Sequence, residues 1–187
     1  MNIGIIQFYN NQVDYGVYSE KINQEYCNQK GYKYICDTDF NKITLVLDGK
    51  APTWYKPRLL QQAFSDYPDL DYLLFLDADA IINDFSQNIE DFIDPQYDIV
   101  VAEDIGHHSV MNAGVILLKN TQWVKEFLEK WWKSGEEFTG NDAKPLDIQT
   151  LLPQHMEQTG VFQNALWHDQ TCFTLLYKND PEVPKHV

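Results

Sequence analysis

The sequence contains few cysteines, few basic residues and no long apolar run. Its three cysteines are widely spaced and no CxxC or His/Cys ligand spacing is present, so neither a zinc site nor a disulfide framework is expected. The 14 basic residues stand against 28 acidic ones, and the formal net charge of -14 argues against a nucleic-acid or anionic-membrane surface. Because no apolar stretch approaches the length of a bilayer span, we expect no membrane segment in this chain and a cytoplasmic location.

The sequence also lacks the two glycine-rich signatures of phosphate-binding loops, GxxxxGK(S/T) and GxGxxG. Their absence argues against phosphoryl transfer on a P-loop or Rossmann dinucleotide scaffold. The chain does contain 44% hydrophobic and 14% aromatic residues over 187 positions, a globular composition at the usual size of one domain. No internal repeat, low-complexity tract or linker divides it, so we expect a single domain over residues 1–187.

Short apolar runs alternate with segments of helical periodicity along the chain. The runs predict strands at Ile3–Phe8, Tyr32–Cys36, Tyr72–Leu76, Asp98–Ala102 and Gly114–Leu118, with a further short strand at Ile43–Leu47. Helical spacing and capping residues predict helices at Tyr18–Lys30, from Arg58 up to Pro68, after the N-cap Thr121 and from about Asp169. Strands that alternate with helices are typical of an α/β fold, with a mixed, mainly parallel central sheet flanked by helices.

The most informative motif is Asp77-Ala78-Asp79, which directly follows the apolar strand Tyr72–Leu76. Ligands collect at the carboxyl ends of strands in open α/β sheets, and two carboxylates one residue apart there can both reach a hard cation such as Mn²⁺ or Mg²⁺. The chain contains Asp-x-Asp three times, but only this pair directly follows five consecutive apolar residues. The alternative is a solvated acidic turn, and the spacing alone does not separate the two.

Other polar groups lie near predicted strand ends. Lys56 and Arg58, before the helix that precedes the acidic motif, could neutralise a diphosphate at the sheet edge or be ordinary surface cations. The Asn112–Gly114 segment could contact sugar hydroxyls or form a plain turn. His107 and His108 are adjacent and would point to opposite faces of a strand, so shared metal ligation is not expected.

Two further groups lie on predicted helices. Asp169 and Gln170 stand where the last helix begins, so Asp169 could be a helix N-cap, or the carboxylate and the amide could face a transferred sugar. Trp123, Trp131 and Trp132 recur with helical spacing, and this stripe is interpreted as core rather than as a sugar platform.

These pieces occur in an order that resembles one enzyme family. WYKPRLLQQAFSDYPDLDYLLFLDADAIIND (Trp54–Asp84) is similar to the central motif of glycosyltransferase family 34, the galactosyl/xylosyl/mannosyl α-glycosyltransferases. The resemblance continues through MNAGVILLKNTQWVKEFLEKWW (Met111–Trp132) and resumes at HDQTCFTLLYKNDPEVPKHV (His168–Val187). It covers most of the chain after residue 50, and the combination of motifs is more specific than any one of them.

The resemblance implies a Rossmann-like GT-A fold, dependence on Mn²⁺ or Mg²⁺, and a nucleotide-sugar donor, with a UDP-sugar favoured over GDP-mannose. By position, Asp77 and Asp79 would bind the metal and the diphosphate, and Asp169 and Gln170 would lie beside the reacting anomeric carbon. The other residues implied at the donor and sugar site are Lys56, Arg58, Ala78, Asn112, Ala113 and Gly114. The nucleotide-binding part would comprise roughly residues 1–105 and the acceptor part roughly residues 106–187.

We therefore expect a glycosyltransferase that moves a hexose or pentose from a nucleotide-diphosphate sugar to a glycan acceptor, with retention of configuration. Two alternatives stay open: a nucleotide-sugar hydrolase, and a degenerate, non-catalytic module that binds nucleotide or glycan. Family members extend beyond a segment like PEVPKHV and supply a metal-ligating His there, so His186 is not expected to be that ligand and the chain is expected to be truncated or minimal. The N-terminal Golgi anchor typical of the family is not expected here either.

Overall fold

The computed structural model describes residues 1–10, 13–47, 50–104, 110–139 and 169–187. Within these ranges a sheet is formed by the strands β1 Ile3–Phe8, β2 Lys33–Asp37, β3 Tyr72–Leu76, β4 Ile99–Glu103 and β5 Met111–Lys119. The helices are α1 Gly16–Lys30, α2 Phe40–Leu47, α3 Tyr55–Asp66, α4 Gln122–Thr139 and α5 Asp169–Asn179. Short 3-10 turns lie at Pro52–Trp54, Ile89–Phe92 and Val183–Lys185.

The strand order is β2-β1-β3-β5-β4, and β5 runs against the other four strands. The link between Glu103 and Met111 is too short for the crossover that a parallel connection needs, so β4 and β5 pair antiparallel. The mixed, mainly parallel α/β sheet predicted from the sequence is confirmed. Because β5 is reversed, its first residues lie where β1 and β3 end, an edge called the carboxyl edge below.

The central strand β3 is buried along its whole length, as its uninterrupted apolar run predicts. On one face of the sheet, α3 and α4 contribute Phe64 and Trp131 to the larger core. On the other face, α1 buries Tyr26 against Leu74. Trp131 and Trp132 are buried, so the interpretation of these two tryptophans as core is confirmed. Among the helices of the described ranges, none is long and apolar enough to cross a bilayer.

The predicted short strand at Ile43–Leu47 is wrong, because this segment belongs to α2. Asp39 explains the outcome, since its Oδ1 accepts hydrogen bonds from the backbone N–H groups of Asn41 at 3.1 Å and Lys42 at 3.2 Å, as an N-cap does. Ile43 and Leu47 then lie four residues apart on the buried face of the helix. The helix start and this spacing override the strand preference of the β-branched residues.

The helix α3 begins at Tyr55 and not at Arg58 as predicted. Lys56 and Arg58 therefore belong to the first turn of the helix and not to a segment before it. Pro57 is compatible with this position, because the N–H groups of a first helical turn have no partner inside the helix. The earlier start directs Lys56 into the interior, where it is 2% exposed.

The strand β5 begins at Met111 and not at Gly114, so the Asn112–Gly114 segment is part of the strand and not a turn before it. Its pairing with β4 is irregular there, because Val101 lies opposite Ile116 whereas Ala102 lies opposite Asn112. A bulge of this kind releases backbone groups from the ladder and often lies beside a functional site.

Candidate active site

The acidic pair lies at the carboxyl edge, directly after β3, as the sequence predicts. The backbone N–H of Asp77 donates to the Gly114 carbonyl at 2.8 Å, which continues the β3–β5 pairing beyond the strand. The side chain of Asp77 is 42% exposed, and Asp79 is exposed. Both residues are therefore accessible to a ligand beside the start of β5.

A buried lysine links the acidic pair to the last helix. Lys56 Nζ lies 2.8 Å from Asp169 Oδ2 and 3.4 Å from Asp77 Oδ1, and it donates to the Ala113 carbonyl at 2.6 Å. The Ala113 carbonyl accepts a hydrogen bond from the ammonium, and the two carboxylates form ion pairs with it. The structure thus brings four of the candidates from the sequence, contributed by α3, β3, β5 and α5, into one cluster.

The charges of this cluster shift the ionisation of its members. Burial alone would lower the pKa of Lys56, but the carboxylates of Asp169 and Asp77 outweigh it and raise that pKa above its ordinary value. Burial raises the pKa of Asp77, and Asp169 adds to this, whereas Lys56 acts in the opposite direction. Lys56 is therefore charged at neutral pH, and a single cation faces two carboxylates.

The start of α5 is held against β5 and α4. The Ala113 N–H, at the bulge in β5, donates to Gln170 Oε1 at 2.9 Å. The indole Nε1 of Trp131 donates to the Asp169 carbonyl at 2.8 Å. The first turn of α5 is consequently fixed beside Asp77, with the Asp169 carboxylate paired to Lys56.

Gly114 leaves room for the Asp77 carboxylate. A Cβ atom added to Gly114 would lie 2.9 Å from Asp77 Oδ2 and 2.9 Å from Asn112 Oδ1, closer than real Cβ atoms approach. The Asn112 side chain is anchored locally, because its Oδ1 accepts the Gly114 N–H at 2.8 Å. The absence of a side chain at this position therefore permits the close approach of the Asp77 carboxylate.

Arg58 lies away from the cluster. Its guanidinium pairs with Glu129 of α4 and lies 4.5 Å from the centroid of the Trp132 ring. In the first turn of α3, Lys56 therefore lies at the carboxyl edge, whereas Arg58 lies at the α3–α4 interface. His107 and His108 lie outside the described residues.

His186 lies at the opposite edge of the sheet. Its Nδ1 is 2.5 Å from Asp98 Oδ2, next to the first residue of β4, and its ring stacks on Trp123 with centroids 3.9 Å apart. Because β4 runs parallel to β3, this end of β4 is remote from the carboxyl edge. The structure therefore gives His186 a packing role there.

Sequence reasoning assigns no role to three buried polar side chains behind the acidic motif, Gln7 in β1 and Ser19 and Asn23 in α1. They bind backbone groups of the loop after β3, including the Ala78 carbonyl, which accepts a hydrogen bond from Ser19 Oγ. The traces of these residues in the sequence are a glutamine in an otherwise apolar strand and the four-residue spacing of Ser19 and Asn23.

The donor groups at the carboxyl edge suit a hard divalent cation. Asp77 and Asp79 supply carboxylate oxygens, which Mn²⁺ and Mg²⁺ prefer. In the part of the chain that the structure describes, no group of three or more His, Cys, Asp and Glu residues is placed to hold a metal ion. Within the described residues, Asp77 and Asp79 are therefore the two candidate ligands at this edge.

A mixed sheet with two carboxylates at the end of its central strand is typical of the GT-A class of glycosyltransferases. Two solved glycosyltransferase structures have a similar fold. A glycosyltransferase involved in the glycosylation of the major capsid of PBCV-1 is similar over 76% of this chain and 69% of its own, with a TM-score of 0.62 and 20% identity. The apo-form glycosyltransferase GlyE of Streptococcus pneumoniae TIGR4 is similar over 95% of this chain and 43% of its own, with a TM-score of 0.50 and 16% identity. The predicted GT-A fold is confirmed.

Residues 6–100 match the galactosyl transferase GMA12/MNN10 family, glycosyltransferase family 34, and the chain belongs to this family. Galactomannan galactosyltransferase 1 of Cyamopsis tetragonoloba is 24% identical over 168 residues, which cover 84% of this chain and 35% of that protein. A protein named probable xyloglucan 6-xylosyltransferase 1, from Oryza sativa subsp. indica, is 28% identical over 157 residues, 78% of this chain and 32% of its own. The chain spans about a third of the length of such curated relatives.

Proposed function

We propose that the chain transfers a hexose or pentose from a UDP-sugar to a glycan acceptor, with a divalent cation and with retention of configuration. The observation that supports this most is the Lys56 bridge, which joins Asp77 of the acidic pair to Asp169 at one edge of the sheet. In a nucleotide-diphosphate sugar, a charged diphosphate likewise lies next to the reacting anomeric carbon. The diphosphate would face the acidic pair, and the anomeric carbon would lie near Asp169. GDP-mannose is the less favoured donor.

Asp77 and Asp79 would hold Mn²⁺ or Mg²⁺ and the diphosphate. When bound, the ion offsets the negative charge that develops on the departing phosphate oxygens. Without it, Lys56 is the one cation that the described residues place among the carboxylates of Asp77, Asp79 and Asp169, and their combined negative charge repels a diphosphate. Nucleotide binding is therefore expected to require the metal.

Lys56 acts through its two carboxylate partners. Its Nζ is buried, donates to the Ala113 carbonyl and pairs with the carboxylates of Asp169 and Asp77, so direct contact with the nucleotide would require breaking one of these contacts. In this position the ammonium reduces the repulsion between Asp77 and Asp169 and keeps α5 against the carboxyl edge. Its proposed part is electrostatic positioning.

Asp169 and Gln170 would lie beside the anomeric carbon. The oxocarbenium-like sugar of glycosyl transfer is stabilised by negative or dipolar neighbours, which a carboxylate and an oriented amide supply. Asp169 is already paired with Lys56, which makes it a weak candidate for a covalent nucleophile. Attack from the face of the leaving group retains configuration without such an intermediate, and we favour it here.

A thermal-shift panel tests the donor class. UDP-galactose, UDP-xylose, UDP-glucose and GDP-mannose are each added with and without Mn²⁺, and we expect one UDP-sugar to raise the Tm only when Mn²⁺ is present. A donor at 100 times its Kd stabilises a folded protein by about 2.7 kcal/mol, which is readily measured. Equal shifts with and without Mn²⁺, or none with any donor, would contradict the proposal.

Turnover of the selected donor then tests the reaction. Release of UDP that depends on an added sugar acceptor supports a transferase. Release without any acceptor indicates a nucleotide-sugar hydrolase. Binding without release indicates a non-catalytic module, and either of the last two outcomes would replace the proposed activity.

Gly114→Ala is expected to weaken Mn²⁺-dependent UDP binding with little loss of stability. The new Cβ displaces the carboxylate of Asp77 and the amide of Asn112, which lie at the ends of their side chains, and the backbone can stay in place. Gly31→Ala is the control, because Gly31 has φ +75 and lies at the end of α1. It is expected to lower the free energy of unfolding by about 1 kcal/mol and to leave the Kd for UDP unchanged. Calorimetric titration of both variants measures the difference, and equal Kd values would refute the prediction.

A further inference from the structure

The loop after β3 leaves the sheet, and side chains of β1 and α1 bind its backbone carbonyls. Gln7 Nε2 donates to the carbonyls of Asp77 at 3.0 Å and Ala80 at 3.4 Å. Ser19 Oγ donates to the carbonyl of Ala78 at 2.5 Å. Three carbonyls of a four-residue stretch are thus turned toward the protein interior.

Asn23 completes this set of contacts. Its Nδ2 donates to the Ala80 carbonyl at 2.9 Å and to Gln7 Oε1 at 2.8 Å, and its Oδ1 accepts the Ile82 N–H at 2.8 Å. Gln7 Oε1 also accepts a hydrogen bond from the Tyr34 hydroxyl at 2.8 Å. Both amide groups are therefore satisfied on nitrogen and on oxygen, which defines their orientation.

These side chains are buried at the interface of α1 with the sheet. Gln7 is 1% exposed, Asn23 is fully buried and Ser19 is 3% exposed. Apolar side chains would fill this interface without needing any hydrogen-bond partner. A fully satisfied polar network instead selects one loop conformation, because any displacement leaves a buried polar group unpaired at about 1–3 kcal/mol.

We propose that Gln7, Ser19 and Asn23 form a carbonyl clamp that sets the placement of the Asp77 and Asp79 carboxylates, and thereby the affinity for Mn²⁺ and a nucleoside diphosphate. The clamp binds the carbonyls of the loop from the interior, while the two carboxylates are reached from solvent. The clamp residues are positioning residues, because their contacts are to the loop that would hold the ligands. This inference rests on the proposed metal and nucleotide site.

Asn23→Leu and Ser19→Ala test the clamp. The first removes both contacts of Asn23 to the loop, and the second removes a single hydroxyl from a helix that tolerates alanine well. The Kd for UDP in the presence of Mn²⁺ is measured by calorimetry below the melting transition of each variant. We expect it to rise about 10–100-fold in Asn23→Leu, and by a smaller factor in Ser19→Ala.

Asn120→Leu is the matched control. Asn120 also uses its side-chain amide to hold a carbonyl, that of Leu70 at 2.7 Å, but it does so at the opposite end of β3. Its replacement is expected to reduce stability and to leave the Kd unchanged. An Asn120→Leu effect on the Kd as large as that of Asn23→Leu would mean general destabilisation and would overturn the clamp.

The remaining outcomes separate the two proposals. If the unchanged protein binds UDP with Mn²⁺ and the folded clamp variants bind it equally well, the clamp is overturned and the site stands. If Asn23→Leu does not fold, the Kd of Ser19→Ala decides, with an unchanged value against the clamp. If the unchanged protein shows no Mn²⁺-dependent binding, the proposed function is overturned and the clamp with it.

Discussion

Replacing Asp79 by Asn is expected to weaken the binding of UDP with Mn²⁺ by at least about 100-fold while the fold stays intact, because loss of outer partners alone costs about 10–100-fold. Asp79 is exposed, and the amide has the same shape, so stability changes by less than about 0.5 kcal/mol. The affinity falls because one of the two carboxylates that would hold the ion becomes neutral. Calorimetric titration with and without Mn²⁺ measures the change.

The sequence provides a closely matched control for this experiment. Asp69 belongs to another Asp-x-Asp pair, is exposed, and lies before β3 instead of after it. Asp69→Asn removes one negative charge in the same way and is expected to leave the Kd unchanged. If Asp79→Asn also binds as tightly as the unchanged protein, the assignment of the metal site is wrong.

Replacing Lys56 by Met is expected to lower the free energy of unfolding by about 3–5 kcal/mol, the usual consequence of removing one partner from a buried ion pair. Methionine fills similar space next to the Phe75 ring, whose centroid lies 4.8 Å from Lys56 Nζ. It leaves the carboxylate of Asp169, whose side chain is 5% exposed, without a cation and without enough water to replace it. Urea denaturation gives the change in unfolding free energy.

Two further variants give this experiment its controls. Lys185→Met removes the cation of an exposed pair with Glu182 and is expected to change the free energy of unfolding by at most about 1 kcal/mol. Adding Asp169→Asn to Lys56→Met removes a stranded charge and is expected to recover part of the loss. A loss below about 1 kcal/mol in Lys56→Met would refute the buried bridge as a major contribution.

The central strand and its acidic pair could be predicted because their signals are local. Five consecutive apolar residues bounded by acids are typical of a strand covered on both faces, and β3 matches the predicted bounds Tyr72–Leu76. The error at α2 arose from the same kind of local signal. Its apolar run resembles a strand, and the decisive feature was the capping position of Asp39 before it.

Burial in α1 could not be inferred from hydrophobicity. Ile22 and Tyr26 are four residues apart, the spacing of one helix face, and Tyr26 is buried. Ile22, however, is 37% exposed, while its polar neighbour Asn23 is fully buried. The loop after β3 needs hydrogen-bond partners there, and that need depends on a segment more than fifty residues away in sequence.

The bridge at the carboxyl edge was beyond sequence reasoning for a related reason. Lys56 was assigned near a diphosphate, and no local pattern around it indicates a contact with Asp169. The direction of β5 could have been inferred, because the link that precedes it is too short for a crossover helix. With β5 reversed, Ala113 comes within reach of both Lys56 and Gln170.

The sequence separation between Lys56, Ala113 and Gln170 determines the order in which they become available during synthesis. Lys56 and Ala113 are 57 residues apart, and a further 57 separate Ala113 from Gln170. During synthesis on the ribosome, the lysine and the acidic loop emerge long before their partner on the last helix. Until that helix arrives, a nascent chain has no nearby carboxylate from Asp169 to neutralise the lysine. The carboxyl edge is accordingly completed only after residue 169 has been made, and a message cut short before that residue would encode a protein with an unfinished centre.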